Sequence, residues 1–332
     1  MQTDCRDITY AQGACISRTL PLVRKMMFGQ SMPMMKSMPE IAGIDLSPIL
    51  WSHGWIYLAP VENVENAEDN DTNIRFPLIL QAGTIVTIVT VSIKPRGKGH
   101  IVEIDRRLSL RQQDNLHKIL HHMLSLDFPL HEFQAICKLK KATTLLRLAK
   151  QGWGRMFRSP TLWEDAVKTL CTTNASWGYT QKMCRNLCDQ LGATASSGLK
   201  TFPTPEKVIR YGERRLKEKV GMGYRNKSLV MLARRAVSGE VPWLLDFNKI
   251  PDASTAEKEI HSWHGFGTYA TRHLLVLMGF HEYLPIDREV GTHLGIRKPG
   301  DIDSNLDSDH FEDWGKFRFT AYKLTRVAKQ EN

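Results

Sequence analysis

The chain is predicted to be an α+β protein, with a small antiparallel-sheet domain followed by a larger all-α domain. Three observations carry this. A long β-branched run with a partner strand lies in the first 140 residues. From about residue 138 the apolar period becomes helical and stays so. The charge balance also changes there: residues 138–240 carry 21 basic and 7 acidic side chains, whereas residues 1–100 carry 9 of each. The resulting division is an arm over residues 1–40, an α/β domain over 41–137 and an all-α domain over 138–332.

The arm is rich in Met, most densely from Met26 to Met38, and is broken by Pro21, Pro33 and Pro39. Such methionines read as packing filler or a mobile arm, and no role follows from them. In the α/β domain, residues 55–59 read as a strand and residues 62–73 as an acidic, Asn-rich loop. Residues 85–93, Ile-Val-Thr-Ile-Val-Thr-Val-Ser-Ile, form the principal strand. Turn chemistry at Pro95-Arg-Gly-Lys-Gly99 returns the chain as a partner strand at 101–104. Leu116, Ile119, Leu120, Met123 and Leu124 then fall at helical spacing. In the second domain, Trp163, Val167, Leu170 and Cys171 form one helical stripe, and Leu229, Leu232, Ala233, Ala236 and Val237 another. Gly and Pro punctuate the segments between, which predicts eight to ten short helices.

With 332 residues, 42% hydrophobic and 24% charged, the chain can bury a full core, which excludes a disordered, collagenous or coiled-coil protein. The net charge of +10 is held entirely by residues 138–240. A localised basic field suits a polyanion, nucleic acid above all, although it also serves as a solvated face. The six cysteines show no paired-ligand spacing, and Cys184 and Cys188 share a helix face. No signal pattern opens the chain, and the apolar stretch 79–93 is too short and too Thr-rich to span a bilayer. The expectation is a reduced cytoplasmic protein.

The chemistry is concentrated in residues 259–287. A helix ending near Trp263 meets Gly265-Phe266-Gly267, and another starts at Thr268. Two glycines in three residues allow a tight bend and close approach to a ligand. The N–H groups of Gly267, Thr268 and Tyr269 then open a helix, where a phosphate is favoured by donors and dipole. Taken alone, Gly-x-Gly reads more readily as an ordinary helix–turn–helix corner. Gly279 ends that helix, and Pro285-Ile286-Asp287 places Asp287 to cap the next, where free N–H groups favour its ionised form. A lone Asp of this kind is ordinarily only a cap.

The two features together resemble the helix–hairpin–helix/Gly-Pro-Asp superfamily of DNA base-excision glycosylases, between its 3-methyladenine II and 8-oxoguanine branches. Three further motifs fall in the family's order. Lys168-Thr-Leu-Cys-Thr-Thr-Asn-Ala-Ser-Trp177 is similar to the segment leading to a duplex-invading loop. Val220-Gly-Met-Gly-Tyr-Arg-Asn-Lys227 is similar to the Gly-x-Gly-Tyr-Arg stretch of 8-oxoguanine glycosylases. Asp313-Trp-Gly-Lys-Phe-Arg-Phe-Thr-Ala-Tyr322 resembles the last helix. The resemblance covers residues 41–330.

It implies hydrolysis of an N-glycosidic bond in double-stranded DNA after the base has been flipped out, with Asp287 as the carboxylate that stabilises the sugar cation and orients water. Asn174 would fill the gap opposite the flipped base, Tyr224 would wedge beside it, and Arg225 and Lys227 would meet bases or phosphates. Trp177, Tyr179, His273 and Tyr322 are the base-pocket candidates, with Tyr269 as a further aromatic wall. The main-chain carbonyls of His261, Trp263 and Phe266 correspond to those that hold a structural Na⁺ or K⁺ in the family. A zinc site at His261 and His264 lacks partners, and no cysteine follows Cys188 to ligate an iron–sulfur cluster. Bifunctional members place a Lys where this chain has Tyr269; a phenol forms no imine, so the implied enzyme is monofunctional, without lyase activity. His264 stands where Pro is usual. The residues reading 8-oxoguanine are not reproduced, since His273 and Tyr322 occupy such places, and the aromatic pocket leans toward cationic alkylpurines. Other damaged purines and modified phage cytosines stay open, with base-excision repair or anti-phage defence as the setting. The family's habit implies a nucleoid-associated monomer. Two rivals remain: a non-catalytic module that binds DNA or flags lesions, and a small-molecule enzyme with a basic face.

Overall fold

A computed structural model describes residues 44–63, 73–82, 85–96, 99–294 and 311–331. The arm with its Met-rich run, Cys5, Cys15 and most of the acidic loop lie outside the described residues.

The N-terminal part opens on a turn of helix, α1 (Ser47–Leu50), and builds a four-stranded antiparallel sheet, β1 (Glu62–Asn63), β2 (Ile74–Ala82), β3 (Ile85–Arg96) and β4 (Gly99–Ile104), in that spatial order. The β2–β3 register pairs Ile74 with Ile93 and Ala82 with Ile85. Alternate residues of β2 (Ile74, Phe76, Leu78 and Leu80) and of β3 (Val89, Val91 and Ile93) are buried, as a one-faced sheet requires. Helix α2 (Leu110–Met123) packs on β2 and opens with a full capping box, Ser109 and Gln112 bonding each other's backbone N–H.

One expectation fails here. Residues 55–59 are not a strand: the segment Gly54–Tyr57 is a 3-10 turn, followed by a cis Ala59–Pro60 peptide. The turn drives Trp55 inward, where its Nε1 donates to Asp165 of the helical part at 2.7 Å. A tertiary contact therefore overrides a local β-like pattern. Strand β2 (Ile74–Ala82) is a further strand, whose C-terminal end lies in the apolar run 79–93 and is not set apart from it by the sequence pattern.

The rest is helical: α3 (Leu130–Leu139), α4 (Thr143–Lys150), α5 (Leu162–Thr172), α6 (Trp177–Leu191), α7 (Pro205–Tyr211), a single turn α8 (Glu213–Arg215) running into a π turn, α9 (Arg225–Ser238), α10 (Ala253–His261), α11 (Thr268–Met278), α12 (Arg288–His293) and α13 (Arg318–Glu331). Both stripes read from the sequence face the core except Val237, which is 46% exposed. One contiguous core runs from the sheet into α5, α6, α9 and α11. Helix α3 spans residues 137 and 138 and, with α4 and α13, forms a second small core around Phe133, Leu148, Phe317 and Leu324. Beneath the junction of the two parts, Lys168 and Glu164 form a buried ion pair at 2.6 Å, and Asp165 accepts from Trp55 and from the Ser159 N–H.

Candidate active site and nucleic-acid interface

Helix α10 is capped by Asp252, whose Oδ1 accepts the Thr255 N–H, and ends at His261. The bend that follows is tight: the Trp263 N–H donates to Ile260 O and the Phe266 N–H to Trp263 O at 3.1 Å. That second bond leaves the Trp263 carbonyl one lone pair for a cation. Trp263 is fixed from both sides. Its Nε1 donates to Glu259, which also accepts from Arg235, and its ring stacks on Trp243.

The two glycines do different work. Gly265 has φ +88°, and a Cβ there would lie 2.7 Å from Ser228 Oγ and 3.1 Å from Leu170 Cδ1. It is required by the fold. Gly267 caps α11 with extended backbone, and a Cβ there would meet nothing within 4 Å. Among the described residues, nothing fills that space. His264, exposed beside them, is tethered by Ser228 Oγ to its Nδ1 at 2.7 Å.

A cleft of about 410 Å³ opens at this bend, lined by Thr173, Asn174, Tyr224, Gly265, Phe266, Gly267, Tyr269 and Ala270. It brings together five residues that the sequence singled out from three separate segments: Asn174, Tyr224, Gly265, Gly267 and Tyr269. Asn174 sits at φ +45° and is exposed, with its amide 3.5 Å from the Tyr224 hydroxyl. Tyr224 is 56% exposed, and Thr268 and Lys227 are also open to solvent. A larger groove, about 720 Å³, lies between β2, α2 and residues 201–206 and includes none of these residues.

Arg225 corrects the expectation of a contact to bases or phosphates. It is 2% exposed, its guanidinium donates to the Thr173 carbonyl, and Tyr224 stacks over it at 4.5 Å. It is a strut beneath the Asn174 loop. Tyr179 likewise departs from the base-pocket group: it donates to Gly221 O beside this strut, 6.0 Å from the Arg225 guanidinium.

His273 lies elsewhere. It stacks parallel to Tyr269 at 5.8 Å and edge-on to Trp55 at 5.1 Å, and Thr169 Oγ1 is 3.3 Å from its Nδ1. Burial, with Lys323 nearby, pushes its pKa down to about 4. His53 stacks on Trp55 at 4.8 Å, and Trp177 rests against Gly54, its Cη2 2.4 Å from where a Cβ would stand. Tyr322 is buried among His293, Phe311 and Phe319. Trp177 and His273 thus lie in one cluster of rings with His53 and Trp55, which sequence reasoning missed. No local pattern marks them, since the sheet part brings them to the helices through the Trp55–Asp165 bond.

Asp287 follows at the far end of α11. Gly279, at φ +107°, ends that helix. The connecting segment is pinned to α13 by the Phe319 N–H donating to His281 O and by His281 Nδ1 at 2.7 Å from Thr320 Oγ1. Asp287 caps α12 as expected, its Oδ1 accepting the Val290 N–H at 2.8 Å. The side chain is half-buried, neither sealed in the core nor on an open loop, and it stands outside the residues lining the 410 Å³ cleft. His293 of the same helix packs on Tyr322 of α13, the neighbour of Lys323.

Among the described residues, no group of His, Cys, Asp or Glu could hold a metal ion, and no helix is long and apolar enough to cross a membrane.

No family model matches the chain. Its fold is shared with solved DNA glycosylases. A 3-methyladenine DNA glycosylase from Archaeoglobus fulgidus superposes with a TM-score of 0.65, over 90% of this chain and 98% of that one, at 17% identity. An 8-oxoguanine glycosylase/lyase from Clostridium acetobutylicum, in complex with double-stranded DNA containing cytosine opposite 8-oxoguanine, gives 0.63 over 87% and 93%, also at 17% identity. By sequence the chain is similar to an N-glycosylase/DNA lyase of Saccharomyces cerevisiae, 26% identical over 195 residues, 54% of this chain. The match spans about half the length of that relative, 50%. The resemblance read from the four motifs therefore holds at the level of fold.

Proposed function

We propose that the chain is a monofunctional DNA glycosylase that extrudes a damaged or modified base from duplex DNA and hydrolyses its N-glycosidic bond. The observation that carries this is Asp287, held as a helix cap one helix beyond a hairpin whose second glycine caps α11 with extended backbone. In the reaction, the bond from C1′ to the base nitrogen breaks and its electron pair leaves with the base. The sugar becomes cationic, and the Asp287 carboxylate stabilises that charge and accepts the proton of the water that adds to C1′. The backbone donors at Gly267, Thr268 and Tyr269 grip a phosphate, and Asn174 and Tyr224 occupy the gap left in the duplex. A structural alkali cation on the His261, Trp263 and Phe266 carbonyls belongs to the same reading, and so do a monomeric state and the absence of lyase activity, because Tyr269 replaces the amine that an imine needs.

The test is a panel of duplexes, each with one defined lesion or modified base, scored for base release and for strand cleavage after alkali. Wild type releases at least one base. Asp287→Asn lowers that rate by roughly 10² to 10⁴-fold and keeps DNA affinity. Equal rates for the two proteins refute the role of Asp287, and borohydride trapping of wild type on DNA refutes the monofunctional assignment.

A further inference from the structure

Exposed cations elsewhere on the surface are neutralised in place, Arg75 by Glu62, Lys94 by Glu103 and Lys316 by Glu132. Four near the Asn174–Tyr224 cleft are not. Lys182 and Arg185 of α6 and Lys217 and Lys219 of the π turn (Leu216–Val220) are exposed. Among the described residues they make no ion pair, side-chain hydrogen bond or ring contact, although Glu218 stands between the last two.

The local fold gathers them. Leu216 and Val220 face the core, which leaves Lys217 and Lys219 outside. The end of the turn is fastened to α6 at two points: Asn186 Nδ2 donates to Val220 O at 2.9 Å, and the Tyr179 hydroxyl donates to Gly221 O. At about 3.6 residues per turn, Tyr179 and Asn186 fall on one line of α6, with Lys182 about 60° and Arg185 about 120° to its solvent side. Lys182 and Lys219 therefore border the same seam. The patch is also continuous with the cleft. Three residues beyond Gly221, Tyr224 lines that cleft together with Gly265 and Gly267. The order outward from the hairpin is thus cleft, Tyr224, Gly221 and then the four cations.

Exposed ammonium and guanidinium groups on separate elements do not converge as a pocket for a small anion does. They suit a polyanion, whose repeated phosphates need only charge and spacing. We propose that Lys182, Arg185, Lys217 and Lys219 are a second backbone contact for duplex DNA, beyond Tyr224 as seen from the hairpin, so that the duplex is held on both sides of the extruded base. This rests on the glycosylase reading above and deepens it. The hairpin holds by N–H groups and the second contact by full charges, so the second carries more of the salt dependence.

The experiment measures affinity for duplexes with an abasic-site analogue placed near one end or the other, between about 50 and about 200 mM salt. Wild type binds more tightly when the long flank lies on one particular side of the analogue. Lys182→Ala/Lys219→Ala and Arg185→Ala/Lys217→Ala each lower the slope of log affinity against log salt by about 2 and the affinity by about tenfold. Both remove the flank preference. Lys138→Ala/Lys150→Ala, which takes the same charge from exposed positions on α3 and α4, changes the slope by less than about 0.5. An equal fall in that control pair marks a field of net charge and overturns the contact. Unchanged slopes in the first two pairs overturn it as well, and base release by wild type then leaves the glycosylase reading standing. A slope contrast without release of any base from the lesion panel overturns the glycosylase reading and keeps the duplex-binding surface. Absence of duplex binding by wild type overturns both.

Discussion

The hairpin and the ring cluster sit at the two ends of one short stretch of α11, and they are built on opposite principles. At the hairpin the side chains are withdrawn: glycines, exposed N–H groups and an open helix start present backbone to the outside. At the rings, indole, phenol and imidazole groups pack on one another. A surface meant for a repeating phosphate needs no side-chain identity, whereas a surface meant to tell one base from another consists of nothing else. On the proposed reading, the hairpin would hold a phosphate and the rings would lie within two helical turns of it.

Acidification breaks this comparison most severely, because it attacks the covered region. His273 and His281 have folded pKa values lowered by burial to about 4 and about 3, from an ordinary 6.5. The unfolded chain takes up these protons first. The stability is therefore complete above pH 6.5 and is lost as pH falls toward 4. At pH 5 the loss is about 2 kcal/mol per imidazole, measured as the drop in unfolding free energy between pH 7.5 and 5. Retention of stability across that range would show that these rings are not held neutral.

The two glycines give a sharper contrast. Gly265→Ala forces a side chain into a left-handed backbone against Ser228, at a cost of about 2 kcal/mol visible in denaturant unfolding. Gly267→Ala leaves unfolding within about 0.5 kcal/mol of wild type and weakens DNA affinity, since the methyl group stands where a phosphate would approach. The smallest effects separate the neighbouring cations. Lys227→Ala lowers the slope of DNA affinity against salt by about 1 with no change in stability. Arg225→Met lowers stability by about 1–3 kcal/mol and leaves the salt slope alone, because its charge faces Thr173 and not the solvent.

What the sequence made legible follows the same division. Gly265, Gly267, Gly279 and the Asp287 cap were readable because each is decided within a few residues by φ, by a free N–H or by a capping oxygen. The sheet and the helical stripes were readable from period alone. Trp55, Arg225 and His53 were not. Trp55 has a strand former's side chain in a 3-10 turn because Asp165, 110 positions away, bonds its indole. Arg225 lies in a motif associated with DNA, yet its guanidinium turns inward to a carbonyl 52 positions back. His53 gains meaning only from rings brought by two other segments.

The single bond from Trp55 to Asp165 spans the seam between sheet and helices, and both of its ends matter beyond it. Asp165 also steadies the Ser159 turn next to a buried lysine, and Trp55 is the ring on which His53 and His273 converge. A tilt of the sheet relative to the helices would thus change the arrangement of these rings while the hairpin, assembled entirely from helical segments, stayed as it was. On the proposed glycosylase reading, substitutions in the sheet then reach the rings at the junction without touching the hairpin that would hold DNA.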